Sequence, residues 1–384
     1  MEQVFVFPAL PRLARVELRK PRGQVTVHVS NQGPQSFTER ISSLHRDFVR
    51  EGVPVADMRR SPALELQFAG SGDIATRPSH LSGRAGIEPV EGPIEARRVP
   101  VAVARESRIR YFLDGAQRTF AVWRCGLIPI AATVAAAGVL RRDPTGDGVL
   151  EPGTLAMKHV MLIPNLPDPR VQDLRVRIED SGIEVNDPLP SGADTAGAPV
   201  DYGQLHELAY IKARDVRADL EERVLDTWAA AHGWGETGDW IIVDGRNRLN
   251  HPRVIGLVKQ FSETYLTGEE AETLYGLPPG FRTTAFIPEV SRRYGSEGSQ
   301  RLMWYIRLWD AEGMDARHAL VRIEASANIS TSDEIDEISS WILAERTPRA
   351  TGDARWATLL YPVHLLERML KRRLDADTRG WPGA

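Results

Sequence analysis

The sequence predicts an α/β protein, a mixed sheet with helices packed on it. Three observations carry that expectation. Arg108–Asp114 (RIRYFLD) alternates apolar and polar residues as a strand does, and two further apolar stretches follow it. Leu205 to about Ala231 is dense in charge and carries a sparse apolar stripe through Leu208, Val216, Leu220, Val224 and Trp228, the pattern of a long helix. Trp240–Asp244 (WIIVD) is a short apolar run that closes on Asp-Gly.

In chain order, Phe37–Glu51 reads as a helix within a segment of otherwise unassigned role. The Gly-, Pro- and Ser-rich stretch from Ala69 to Pro93 reads as a soft region. Arg108–Asp114 is then the first strand of a meander, with Gly115-Ala116 as a turn, Arg118–Cys125 as the second strand and Leu127 to about Leu140 as the third. DPTGDG at Asp143–Gly148 is turn chemistry; it lacks the glutamate a calcium loop needs at its twelfth position. Asp187–Gly203 reads as an exposed connection leading into the long helix, which His232-Gly233 ends. Strands follow at Trp240–Asp244, Val254–Lys259, Met303–Trp309 and Ala319–Ala325. Helices follow at Asp333–Arg346, with its acidic start at Asp333–Glu337, and at Pro362–Leu374.

Composition narrows the function classes. The chain has 384 residues, 42% hydrophobic and 26% charged, enough to bury a large core as one large domain or two. No apolar run reaches the length of a membrane span. The basic residues of MEQVFVFPALPRLARVELRK follow the apolar ones, the reverse of a secretory signal, so a cytoplasmic protein with no membrane partner is expected. The single cysteine, Cys125, excludes a disulfide framework and reads as a small core residue. A formal net charge of −4 excludes nucleic-acid binding by bulk electrostatics. The 43 Arg against 5 Lys suit phosphate contacts and equally fit a GC-rich coding sequence.

Three acidic positions stand out. Asp114 and Asp244 each close an expected strand, and Glu221 lies on the helix between them. On a helix Glu221 neighbours Val224, Leu225 and Trp228 and so borders the apolar side, whereas Glu222 faces water; Glu221 is therefore preferred. Carboxylates from strand ends and a packed helix can share divalent ions, and Mg²⁺ and Mn²⁺ take such oxygen ligands. Asp-Gly after a strand is also ordinary turn chemistry, and it is the two pairs flanking one glutamate that favour a site. Lys259 at a strand end can pair with a phosphate, His364 can meet a metal or phosphate, and Trp304, Tyr305 and Trp309 read as core before they read as a base-stacking cluster. There is no Gly-x-x-x-x-Gly-Lys loop.

The order of these elements resembles the ribonuclease H-like fold, with flanking helices, large insertions and an N-terminal extension. The chain more specifically resembles the NurA nucleases. FLDGAQ at Phe112–Gln117 is similar to that family's first motif, DLEERVL at Asp219–Leu225 to its helix glutamate, and IIVDGRNRL at Ile241–Leu249 to its second Asp-Gly segment. VIGLVK at Val254–Lys259 is similar to the Gly-x-x-Lys strand, and Tyr361-Pro362 to the opening of the closing motif. The sequence departs from the pattern at Ala116, where a small hydroxyl residue is usual, and at Met369, where a histidine is usual; His364 lies elsewhere on the same helix. The resemblance implies a nuclease domain over 101–384, with insertions near 141–203 and 265–300, and a docking or dimer role for 1–100. It also implies Mn²⁺ or Mg²⁺ held by Asp114, Glu221 and Asp244, with Tyr361, Lys259 and His364 placing the phosphate. The expected partners are DNA ends and single strands, a second copy of the chain and a HerA-type hexameric ATPase, in repair or antiphage defence. The alternatives are a catalytically degenerate subunit of such an assembly and a nuclease of the same fold acting on RNA.

Overall fold

The computed structural model describes residues 36–58, 61, 63–67, 86–100, 107–143, 147–190, 201–233, 238–247, 251–261, 264–289, 300–346 and 356–381. Most of Ala69–Pro93, the middle of Asp143–Gly148 and most of the Asp187–Gly203 connection lie outside the described residues, as do residues 1–35.

The elements follow the chain as α1 (Phe37–Glu51), β1 (Val55–Asp57), α2 (Leu64–Gln67), β2 (Ile87–Pro89), β3 (Ala96–Arg98), β4 (Ile109–Cys125), β5 (Ile128–Arg142), β6 (Gly148–Leu150), β7 (Ala156–Leu162), α3 (Pro169–Asp180) and β8 (Glu184–Asn186). There follow α4 (Tyr202–His232), β9 (Trp240–Asp244), β10 (Val254–Val258), α5 (Glu269–Tyr275), β11 (Phe281–Thr283), β12 (Phe286–Pro288), β13 (Arg301–Arg307), β14 (Leu320–Ser326), α6 (Ser332–Glu345) and α7 (Tyr361–Asp377). The strands form one mixed sheet in the order β2-β12-β13-β14-β10-β9-β4-β5-β7-β8. β4 runs parallel to β9, and β9 parallel to β10, while the β4–β5, β5–β7 and β10–β14 pairs are antiparallel.

The sheet is covered on both faces, which is why its central strands are buried almost throughout. On one face Leu113, Ala131, Ala135, Val139, Ile241 and Val243 pack against the α4 stripe of Ala213, Val216, Leu220, Val224 and Trp228. On the other, Phe112, Ala116, Phe120, Ile242 and Ile255 meet residues of α1, α6 and α7, among them Phe37, Trp341, Leu366 and Leu370. The acidic start of α6 is a capping box in which Thr331 and Glu334 satisfy each other's backbone N–H groups.

Two expectations are corrected. Gly115-Ala116 is not a turn: β4 runs unbroken from Ile109 to Cys125 and turns only at Gly126, whose φ is 61°. The meander is therefore β4, β5 and β7, and its third strand is Ala156–Leu162, with Leu127–Leu140 supplying the second. The physical reason is that Asp-Gly is turn chemistry in most settings, whereas Gly115 here serves a close approach described below. The segment before residue 101 also joins the sheet, for β2 pairs with β12 and β3 with β11. Arg282 fastens it there, donating to both Glu91 carboxylate oxygens (2.7 and 2.8 Å) and to Asp336 (2.6 Å). α1 is tied to α7: the Phe37 N–H donates to Asp377 Oδ1 at 3.2 Å, and the Phe37 ring stacks on His159, which itself meets Asp377.

Candidate active site at the end of the parallel ladder

The β4–β9 ladder ends at the pair Leu113–Val243, so the next residue on each strand is an aspartate. Asp114 projects from a β4 that continues, and Asp244 from a β9 that stops. Asp114 is 6% exposed, and its Oδ1 accepts from the Gly115 N–H at 2.8 Å.

Glu221 reaches this point from α4. A Cβ on Gly115 would lie 2.2 Å from Glu221 Oε1, a distance no real contact shows, so the glycine is what lets the carboxylate lie against the strand. Glu222 is exposed, and the structure places Glu221 as the inward member of the pair. From the opposite face α7 contributes Glu367, whose charge acts on Asp114.

The electrostatics follow from the crowding. Burial first, then the charge of Asp244, pushes the Asp114 carboxyl well above its ordinary value; Glu221 and Glu367 add to the shift and Lys259 opposes it. Cations answer the other carboxylates. Lys259 Nζ lies 2.6 Å from Asp244 Oδ2, Arg217 Nε 3.3 Å from Glu221 Oε1, and Lys371 Nζ 2.7 Å from Glu367 Oε1. Burial alone would favour a neutral Arg217, and the charges of Glu221, Asp114 and Asp244 outweigh it.

Of the sequence-predicted residues, Asp114, Glu221, Asp244 and Lys259 come together here. His364 borders the group, with Nδ1 3.9 Å from Glu367 Oε2. Tyr361 is 57% exposed at the start of α7 and makes no hydrogen bond with a described residue. Met369 is partly buried and packs against the hydrophobic core. Trp304 and Tyr305 are fully buried and so belong to the core.

Sequence reasoning missed Glu367 and Arg217. Both sit one helical turn from an opposite charge, the spacing of an ordinary solvated helix face. The available signal was Glu367 lying three residues after His364.

The donor set is all oxygen, the chemistry Mg²⁺ or Mn²⁺ requires. Among the described residues no three His, Cys, Asp or Glu side chains are disposed to hold an ion as they stand. Lys259 and Arg217 instead supply positive charge directly on two of the three carboxylates. The arrangement concentrates negative charge in a partly buried place and balances it with paired cationic side chains. No protein-family model matches the chain, and no curated protein sequence matches it.

Proposed function

We propose that the protein is a metal-dependent DNA nuclease with a ribonuclease H-like core, similar to the NurA nucleases. The observation that carries this reading is the placement of Asp114 and Asp244 where the two parallel strands part, with Glu221 of the intervening long helix against Gly115 and its charge acting on Asp114. Carboxylate oxygens from these three residues suit one or two divalent ions, which when bound activate water and stabilise the leaving oxygen in phosphodiester hydrolysis. The chain's own groups prepare the site. Lys259 pairs with Asp244 and Arg217 with Glu221, and Gly115 clears the space Glu221 occupies. On this reading the substrates are DNA ends and single strands, and the assembly is a homodimer fed by a HerA-type hexameric ATPase.

A second reading, a degenerate subunit that binds DNA ends or scaffolds the translocase, is favoured by an apolar Met369 packed against the core where the resemblance expects a histidine, and by the cations already seated on the carboxylates. One experiment separates them: labelled linear and single-stranded DNA, with an RNA control, is incubated with Mn²⁺, Mg²⁺ or EDTA. The nuclease reading expects metal-dependent DNA degradation that Asp114→Asn lowers on the order of 10²–10³-fold, the scale of losing one group that stabilises transition-state charge. Equal inertness of both proteins, with a cognate ATPase added, would sink it in favour of the degenerate subunit.

A further inference from the structure

The turn after Asp244 is held from three sides. Gly256 on β10 pairs across the sheet with Glu324 on β14, and a Cβ on Gly256 would stand 2.5 Å from the Asn247 nitrogen. With that space free, the Asn247 N–H donates to Glu324 Oε2 at 3.1 Å. Asn247 Nδ2 donates to the Val254 carbonyl at 3.2 Å, and Arg301 Nε donates to the Asn247 carbonyl at 3.0 Å. Glu324 is itself buried and receives Arg322 Nη2 at 2.9 Å, while the Arg322 guanidinium lies over the rings of Phe261 and Tyr265. Within Gly245–Asn247, Asn247 is buried and Arg246 is exposed.

An anionic backbone approaching this rim meets several cations that are already engaged. Lys259, Arg217 and Lys371 each already face a carboxylate, and Asp114 adds a fourth acidic group. Arg246 makes no ion pair with a described residue. Its backbone is fixed beside Asp244, so binding through it orders only the side chain. Its planar fork matches two phosphate oxygens, which an ammonium cannot do.

We propose that Arg246 is a phosphate-binding residue that anchors the nucleic-acid backbone beside Asp244, and that Glu324 is a positioning residue acting through Asn247. The assignment rests on the nuclease reading and adds to it the group that grips the substrate. It also gives Gly256 a role, as the seat of the turn.

The test measures binding of a fluorescent single strand to the full chain by anisotropy in EDTA, across a salt series, so that cleavage plays no part. Arg246→Ala is expected to weaken binding roughly five- to tenfold and to reduce the slope of log affinity against log salt by about one. Arg246→Lys recovers part of the affinity. Arg50→Ala, on α1 and away from the site, leaves binding unchanged. Glu324→Gln weakens binding less than Arg246→Ala, and the double variant loses no more than Arg246→Ala alone, which separates positioning from a general loss of fold. If the wild type binds and Arg246→Ala binds equally well at every salt concentration, the assignment is overturned and the nuclease reading stands. If the wild type binds no DNA in this series, the Arg246 assignment is overturned, while the metal-dependent cleavage assay decides the nuclease reading separately.

Discussion

Lys259 Nζ and Asp244 Oδ2 stand 2.6 Å apart where the parallel ladder ends, and the same lysine is the cation that opposes the upward push on Asp114. One side chain thus moderates two carboxylates, the task a divalent ion would perform there. Removing it should make the site depend on added metal. Lys259→Met is expected to lose roughly 2 kcal/mol or more of stability in EDTA, because it leaves Asp244 unpaired in a partly buried place. Mn²⁺ should then raise its melting temperature more than it raises that of the wild type. Equal metal-induced shifts in thermal melts would show that Lys259 is not standing in for an ion.

Gly115 gives a second test, independent of metal. Gly115→Ala forces Glu221 off the strand and should cost about 1–3 kcal/mol, the usual penalty of overpacking. Gly138 lies opposite Asp114 on β5, and a Cβ there would meet only leucine methyls at 3.6–3.7 Å. Gly138→Ala should therefore be tolerated. Urea unfolding of the two variants checks the contrast, and DNA cleavage should fall with Gly115→Ala alone.

The tie between α1 and α7 titrates. Burial alone would raise the Asp377 carboxyl, but its hydrogen bond and ion pair with His159 and the Phe37 N–H outweigh it and hold the group below its ordinary 3.8. A depressed carboxylate adds stability that is fully present above its unfolded value and is lost as pH falls through the folded one. Asp377→Asn should accordingly cost about 1–3 kcal/mol at neutral pH, the range for a lost hydrogen bond to a charged group. The gap to wild type should narrow as pH falls below the unfolded value and close below the folded one. A gap that stays constant across a pH series of thermal melts would contradict this.

The buried ion pair of Arg282 and Glu91 should be sensitive to loss of either partner alone. Both side chains are almost wholly buried, so Glu91→Gln leaves a guanidinium with Asp336 as its remaining carboxylate. A loss of about 3–5 kcal/mol is expected in urea unfolding for Arg282→Ala, and a smaller one for Glu91→Gln.

Much of the fold was legible because its signals are local. The stripe on α4, the apolar run of β9 and the acidic start of α6 each declare themselves within a few residues. Gly115 was not legible as part of a strand, since nothing in Asp-Gly says whether the glycine turns the chain or admits a carboxylate from elsewhere. β7 was hidden for a related reason: AMKHVML mixes a lysine and a histidine into a strand that meets β8 through the crossover helix α3. Asp114, Asp244 and Glu221 were legible as candidates from their flanks. Glu367 was not, because it comes from a helix more than 250 residues further along the chain and local pattern pairs it only with Lys371.

The pairing of Leu113 with Val243 has a consequence for how the molecule is made. During synthesis the β4–β5 hairpin can close as soon as its own residues emerge, but β4 waits for α4 and β9 before its other edge is filled, a long loop to close. The acidic cluster therefore does not exist on a nascent chain until Asp244 has left the ribosome. The moment at which these carboxylates first lie near one another is therefore set by topology and not by the emergence of Asp114 itself.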